Sequence, residues 1–186
     1  MSVKRIFNLA VMLLVGHGLF VFQACSSNGG EHIDSRLGID TFSELMAFSR
    51  VMAVAALEPV GTVKKDGAEA LNYRLTGERE VFVAERVESS RSMRNDVYQW
   101  KNMCDEDRYI AGYDPCPLDR SLYYPEDDGL RISFLSIEND GSLLLLLSFE
   151  VKNGKADMSN IGGPEVEVSD IEQFARSNDF ERGELR

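Results

Sequence analysis

The sequence predicts an α+β domain: an N-terminal helix, an antiparallel sheet that ends in a three-stranded meander, and a short C-terminal helix. Three observations carry this. Apolar residues recur at helical spacing behind a capping signal at Thr41, apolar and polar residues alternate between Leu71 and Val87, and two apolar runs flank Asn139-Asp140-Gly141.

The first element starts at T-F-S-E, 41–44, which has the form of a capping box: the Thr41 hydroxyl accepts from the Glu44 amide while the Glu44 carboxylate returns to the Thr41 amide. Phe42, Leu45, Met46, Met52 and Leu57 then fall at helical spacings until Pro59, predicting one helix whose broad apolar face packs in the core. Beyond Gly61 the period becomes two. Leu71, Tyr73 and Leu75 precede Thr76-Gly77-Glu78, and Val81, Val83 and Val87 follow it, so a hairpin is expected with its turn at 76–78. Residues 92–104 fit two patterns. Met93, Val97, Trp100 and Cys104 share a helical face, V-Y-Q-W also fits a short strand, and the helix is the expectation.

Late in the chain R-I-S-F-L-S-I-E and S-L-L-L-L-L-S-F-E-V are joined by residues that tolerate positive φ, a strong hairpin signal. Asn153-Gly154 turns the chain once more toward K-A-D-M-S-N-I, which completes the meander. Leu143, Leu145 and Leu147 alternate with Leu144 and Leu146, so the middle strand is apolar on both faces and should lie centrally, covered on two sides. S-D-I-E at 169–172 repeats the capping signal and predicts a short helix with Ile171, Phe174 and Ala175 inward.

The first 25 residues read differently. Lys4 and Arg5 precede an apolar stretch, residues 6–22, and Ala24 precedes Cys25, the layout of an export signal. Phe22 is too large for cleavage in the A-x-A manner. The run Phe22-Gln23-Ala24-Cys25 resembles instead the bacterial lipoprotein lipobox, with Phe22 and Gln23 where that family usually has Leu and a small residue. The resemblance implies cleavage before Cys25, a diacylglycerol on its sulfur and an acyl chain such as palmitate on its amine. Ser26, where an Asp would retain the protein in the inner membrane, implies an outer-membrane anchor facing the periplasm, the inner membrane being the alternative. Several acyl chains anchor stably, since each buried methylene contributes about 0.8 kcal/mol. The chain thus divides into a signal peptide (1–24), a lipidated cysteine with a polar tether (25–40) and a single domain (41–186). A flexible tether of that length spans about 20 Å.

Without residues 1–24 the chain has 162 residues, with 18 basic and 31 acidic side chains, a net charge of −13. Such a charge disfavours nucleic acid and anionic lipid as partners. Cys104 and Cys116 are expected to form a disulfide in an oxidising compartment, and the domain holds no histidine for a zinc site or a Ser-His-Asp triad. Neither a P-loop nor a dinucleotide-binding glycine motif is present, and no cofactor is expected.

The segment from Cys104 to Gly129, C-D-E-D-R-Y-I-A-G-Y-D-P-C-P-L-D-R-S-L-Y-Y-P-E-D-D-G, is the long irregular stretch where function is expected. Tyr109, Tyr113, Tyr123 and Tyr124 lie between Asp105 and Asp107 on one side and Asp127 and Asp128 on the other, and prolines stiffen the loop. Rigid aromatics among acids on a disulfide-pinned loop have the composition of a recognition surface, and these eight residues are the candidate partner contacts. Calcium is the alternative ligand of the acids, although the glycine needed at the sixth position of a helix-loop-helix site is missing after Asp105. The expected role is binding or accessory, to an envelope protein or cell-wall polymer. The alternative is a small carboxylate-dependent hydrolase acting on that polymer, because two spaced acids suffice for such chemistry.

Overall fold

The computed structural model describes residues 39–85, 87, 93–101, 103–104 and 116–185, and strand dominates them. The α+β expectation is therefore corrected. Among the described residues eight strands stand beside α-helices no longer than seven residues. The first helix, α1, runs only from Phe42 to Phe48, with the Thr41 hydroxyl accepting from the Glu44 amide at 3.3 Å and the Glu44 carboxylate from the Asp40 amide. From Val51 the chain is extended: β1 is Val51–Lys65, and Met52 and Leu57 lie on it rather than on a helix. Every residue from Val51 to Leu57 is apolar, and a continuous apolar run cannot distinguish helix from strand by its period.

Strand β2, Ala68–Ala84, returns from β1 through Asp66-Gly67, both at positive φ (48° and 82°), which is the two-residue geometry of a tight hairpin. The expected turn at Thr76-Gly77-Glu78 is a bulge inside β2. Val54 pairs with Glu80 and Ala56 with Thr76, so residues 77–79 all oppose Ala55. Strand β3, Asp96–Trp100, replaces the expected helix across 92–104. Strands β4 (Leu130–Ile137) and β5 (Leu143–Glu150) form the expected hairpin about Asn139-Asp140-Gly141. The meander goes no further: β6 (Lys155–Asp157) leaves β5 and pairs with β7 (Glu165–Glu167) in a separate two-stranded sheet. Helix α3 spans Ile171–Ser177, and β8 (Phe180–Arg182) joins the edge of β2 at Phe82 to Ala84, where β3 no longer covers it.

The large sheet closes on itself. Its neighbours run β1-β4-β5-β3-β2, and β1 also pairs with β2, so five strands form a ring. All pairings in the ring are antiparallel except β3 with β5. This order, with its one parallel seam, is the connectivity of an OB-type barrel. Its interior is lined by Val51, Ala53, Ala55 and Leu57 of β1, Tyr73 and Leu75 of β2, Val97 of β3, Leu135 of β4 and Leu143 and Leu145 of β5. The small alanines of β1 let a narrow ring close. Outside the β1-β4-β5 wall a second core packs Met52, Ile132, Phe134, Leu147 and Phe149 beneath Leu45, Ala156, Ile171 and Phe180. Strand β5 is thus covered on both sides, by the barrel interior and by the C-terminal layer.

Candidate functional site

The connection from β3 to β4 spans residues 101–129. The disulfide expected between Cys104 and Cys116 is formed, with Cα atoms 5.3 Å apart. Tyr124 ties this bridge to the barrel: its hydroxyl donates to the Trp100 carbonyl at 2.9 Å and accepts from the Cys104 amide at 3.3 Å. Just before it, the short helix α2, Arg120–Tyr123, is capped by Asp119, whose carboxylate accepts from the Ser121 amide at 2.8 Å and the Ser121 hydroxyl at 2.7 Å. The Arg120 guanidinium lies 5.1 Å from the centre of the Tyr124 ring.

These contacts bury two of the expected contact residues. Tyr123 is fully buried in the outer core, with its hydroxyl 3.4 Å from the Ile39 carbonyl, and Tyr124 is 6% exposed. Tyr123 does not present its ring to solvent, because an aromatic side chain beside a sheet wall gains more by covering apolar area than by facing water, whereas Tyr124 keeps an edge on a neighbouring cleft. Asp127 and Asp128 are exposed. Asp105, Asp107, Tyr109 and Tyr113 lie outside the described residues, as does Cys25 with its lipobox. Among the described residues no three potential ligands gather as a metal site would require.

The residue that sequence reading missed is Arg131, at the start of β4 and only 3% exposed. Its Nε donates to Ser148 Oγ at 2.9 Å, Nη2 to the carbonyls of Ser148 (3.2 Å) and Ser121 (3.3 Å), and Nη1 to Asp127 Oδ1 at 3.2 Å. Ser148 Oγ is also 2.9 Å from Ser133 Oγ. A buried guanidinium must have its donors satisfied, and here the barrel wall and α2 satisfy them together. The signal was legible: Arg131 and Ser133 occupy alternate positions of a mostly apolar strand, and Ser148 breaks the apolar run of its partner.

Arg131 lines the floor of a cleft of about 580 Å³ between α2, the 124–127 loop, the ends of β4 and β5, and the 3-10 turn after β6. Leu122, Tyr124, Pro125 and Phe149 supply apolar wall, and charges of both signs form the rim. No protein-family model, curated protein or solved structure matches this chain. Its chemistry must be read from the cleft.

Asp119, Glu126, Asp127, Glu150 and Asp157 face Arg120, Arg131 and Lys152, with Lys152 Nζ 2.9 Å from Glu150. Hydrogen bonds from Ser121 hold the Asp119 carboxyl below its ordinary range, and bonds from Ser159 do the same for Asp157. In the barrel, burial pushes the Tyr73 phenol up to about 12, so it stays neutral. A cleft of this size with polar groups converging on apolar wall suits a small ligand or a short polymer segment.

Proposed function

We propose that this chain is a lipid-anchored envelope lipoprotein whose barrel is a binding module, taking an envelope ligand into the cleft beside Arg131. The observation that carries the reading is the cleft itself: it sits on the acidic β3–β4 connection, its wall is preorganised by the disulfide and by Tyr124, and its rim offers charges of both signs. The lipobox-like Phe22-Gln23-Ala24-Cys25 supports an anchor at the outer membrane, and the net charge of −13 after residue 24 favours partners carrying positive groups. A hydrolase is supported less well. A general acid needs a raised pKa, whereas the two cleft carboxyls with shifted acidity, Asp119 and Asp157, are both pulled down.

Two experiments test the reading. A photo-crosslinking side chain at Glu126, on the cleft rim, should yield a specific adduct in intact envelopes, while the same group at Glu58, exposed on the β1–β2 hairpin, should not. Equal adducts at both positions, or none at Glu126, defeat the cleft. Separately, Cys25→Ser should abolish incorporation of labelled palmitate, and retained label would defeat the anchor.

A further inference from the structure

We infer that Arg131 anchors a carboxylate of the ligand, and that Asp127 is a built-in stand-in which the ligand displaces; this rests on the cleft being the binding site. Three of the four groups that hold the guanidinium are fixed parts of the fold: Ser148 Oγ, the Ser148 carbonyl and the Ser121 carbonyl. The fourth is different. Asp127 belongs to a loop, its side chain is 56% exposed where that of Arg131 is 4% exposed, and the oxygen that meets Nη1 at 3.2 Å also accepts the Gly129 amide at 3.2 Å. The pair rests on that one oxygen, and Nη1 is the nitrogen that the fixed groups leave to it. The exposed member of such a pair is held weakly, because water competes for it and its side chain regains rotational freedom on leaving.

An incoming carboxylate therefore finds a guanidinium already oriented and desolvated, and opposed only by a loosely held competitor. The rest of the rim sets the ligand class. Its five acids, Asp119, Glu126, Asp127, Glu150 and Asp157, outnumber its three bases, Arg120, Arg131 and Lys152, so a carboxylate carried together with a cationic group suits the cleft better than a plain anion. A peptide end bearing a free carboxylate beside a basic residue has both. Such an end occurs on proteins, with L-residues, and on cell-wall peptides, with D-residues.

The test uses the full-length chain in detergent micelles and two probes, lysyl-L-alanine and lysyl-D-alanine, each against its C-terminal amide. Titration calorimetry should show one-to-one binding of at least one acid, with its amide about tenfold weaker, the scale of one charge-assisted contact. The bound acid should shift the Arg131 side-chain Nε–H resonance, and the preferred stereoisomer identifies the source. Asp127→Asn leaves the other three bonds of Arg131 in place and should tighten the acid several-fold without changing the amide. Acid and amide binding alike, neither acid binding, or no gain in Asp127→Asn would each overturn the inference. If Glu126 still crosslinks while the probes leave Arg131 unmoved, the carboxylate anchor fails and the cleft stands. Loss of both removes the cleft as well.

Discussion

Tyr124 places one hydroxyl between two elements that share no ladder. Its ring fills the outer core, and its oxygen joins the Trp100 carbonyl at the end of β3 to the amide of the disulfide cysteine. Tyr124→Phe keeps the ring and removes both bonds, so thermal unfolding should show a loss of about 1 to 2 kcal/mol, the scale of one net hydrogen bond and one partner left unsatisfied. A loss below a few tenths would mean that water replaces the hydroxyl there. Asp140 makes a prediction in pH. The Ser142 hydroxyl and amide, with the Lys65 ammonium, hold its carboxyl down to about 2. Its value in the unfolded chain is about 3.9. The folded value is the lower, so the charged carboxylate stabilises the fold above about pH 4, and that contribution disappears as the pH falls toward 2. The side chain is 54% exposed, and solvent screening keeps the effect below about 1 kcal/mol. The stability gap between wild type and Asp140→Asn should therefore be present at pH 6 and close on acidification. A gap that persists at the lowest pH would assign it to packing.

At the scale of elements, the disulfide pins a connection that has little regular structure of its own among the described residues. Its cysteines are 12 positions apart in sequence, and a loop of that size contributes about 3 kcal/mol in the chain-entropy estimate. Cys104→Ser with Cys116→Ser should lower the melting temperature and broaden the signals of α2 while the barrel strands keep their amide protection. Uniform loss of protection would show that the connection and the barrel unfold as one unit. The same scale shows where sequence reading worked and where it failed. The β4–β5 hairpin was legible because its turn residues and its alternation agree. The first hairpin was not, because Asp66-Gly67 and Thr76-Gly77-Glu78 both carry turn chemistry, and only the pairing of β1 with β4 at Val51 to Ala56 selects the former. Long-range pairing is absent from local pattern. For the same reason Met52 and Leu57 could be placed on a helix: the two cores that bury opposite faces of β1 are built from residues distant in sequence. In the site, the disulfide and the exposed acids at 127 and 128 were legible from composition. Burial of Tyr123 and Tyr124 was not, since a tyrosine in an acidic loop reads the same whether its ring faces inward or outward.

The whole molecule depends on closing its ring, and the parallel seam between β3 and β5 is where closure is thinnest. Only Val97 with Leu143 and Tyr98 with Leu144 pair across it. Beyond them a side chain continues the ladder: Gln99, fully buried, donates through Nε2 to the Leu145 carbonyl at 2.9 Å, while its Oε1 accepts from the Trp100 amide at 2.9 Å. One amide group thus satisfies a buried backbone acceptor on β5 and a half-buried backbone donor on β3. Gln99→Leu preserves most of the volume and orphans both partners, so urea unfolding followed by Trp100 fluorescence should show a loss of about 2 to 6 kcal/mol, at about 1 to 3 for each unsatisfied group. Leu145→Ala, which opens a cavity in the barrel interior without touching the seam, is expected to cost a similar 2 to 5 kcal/mol. The two variants differ in what opens first. In Gln99→Leu, hydrogen exchange should accelerate at β3 and β5 ahead of β1 and β4, because the ring parts at its parallel seam; in Leu145→Ala it should accelerate around the whole barrel. A Gln99→Leu protein as stable as wild type, or one whose exchange rises evenly over the five strands, would show that the backbone pairs alone close the ring.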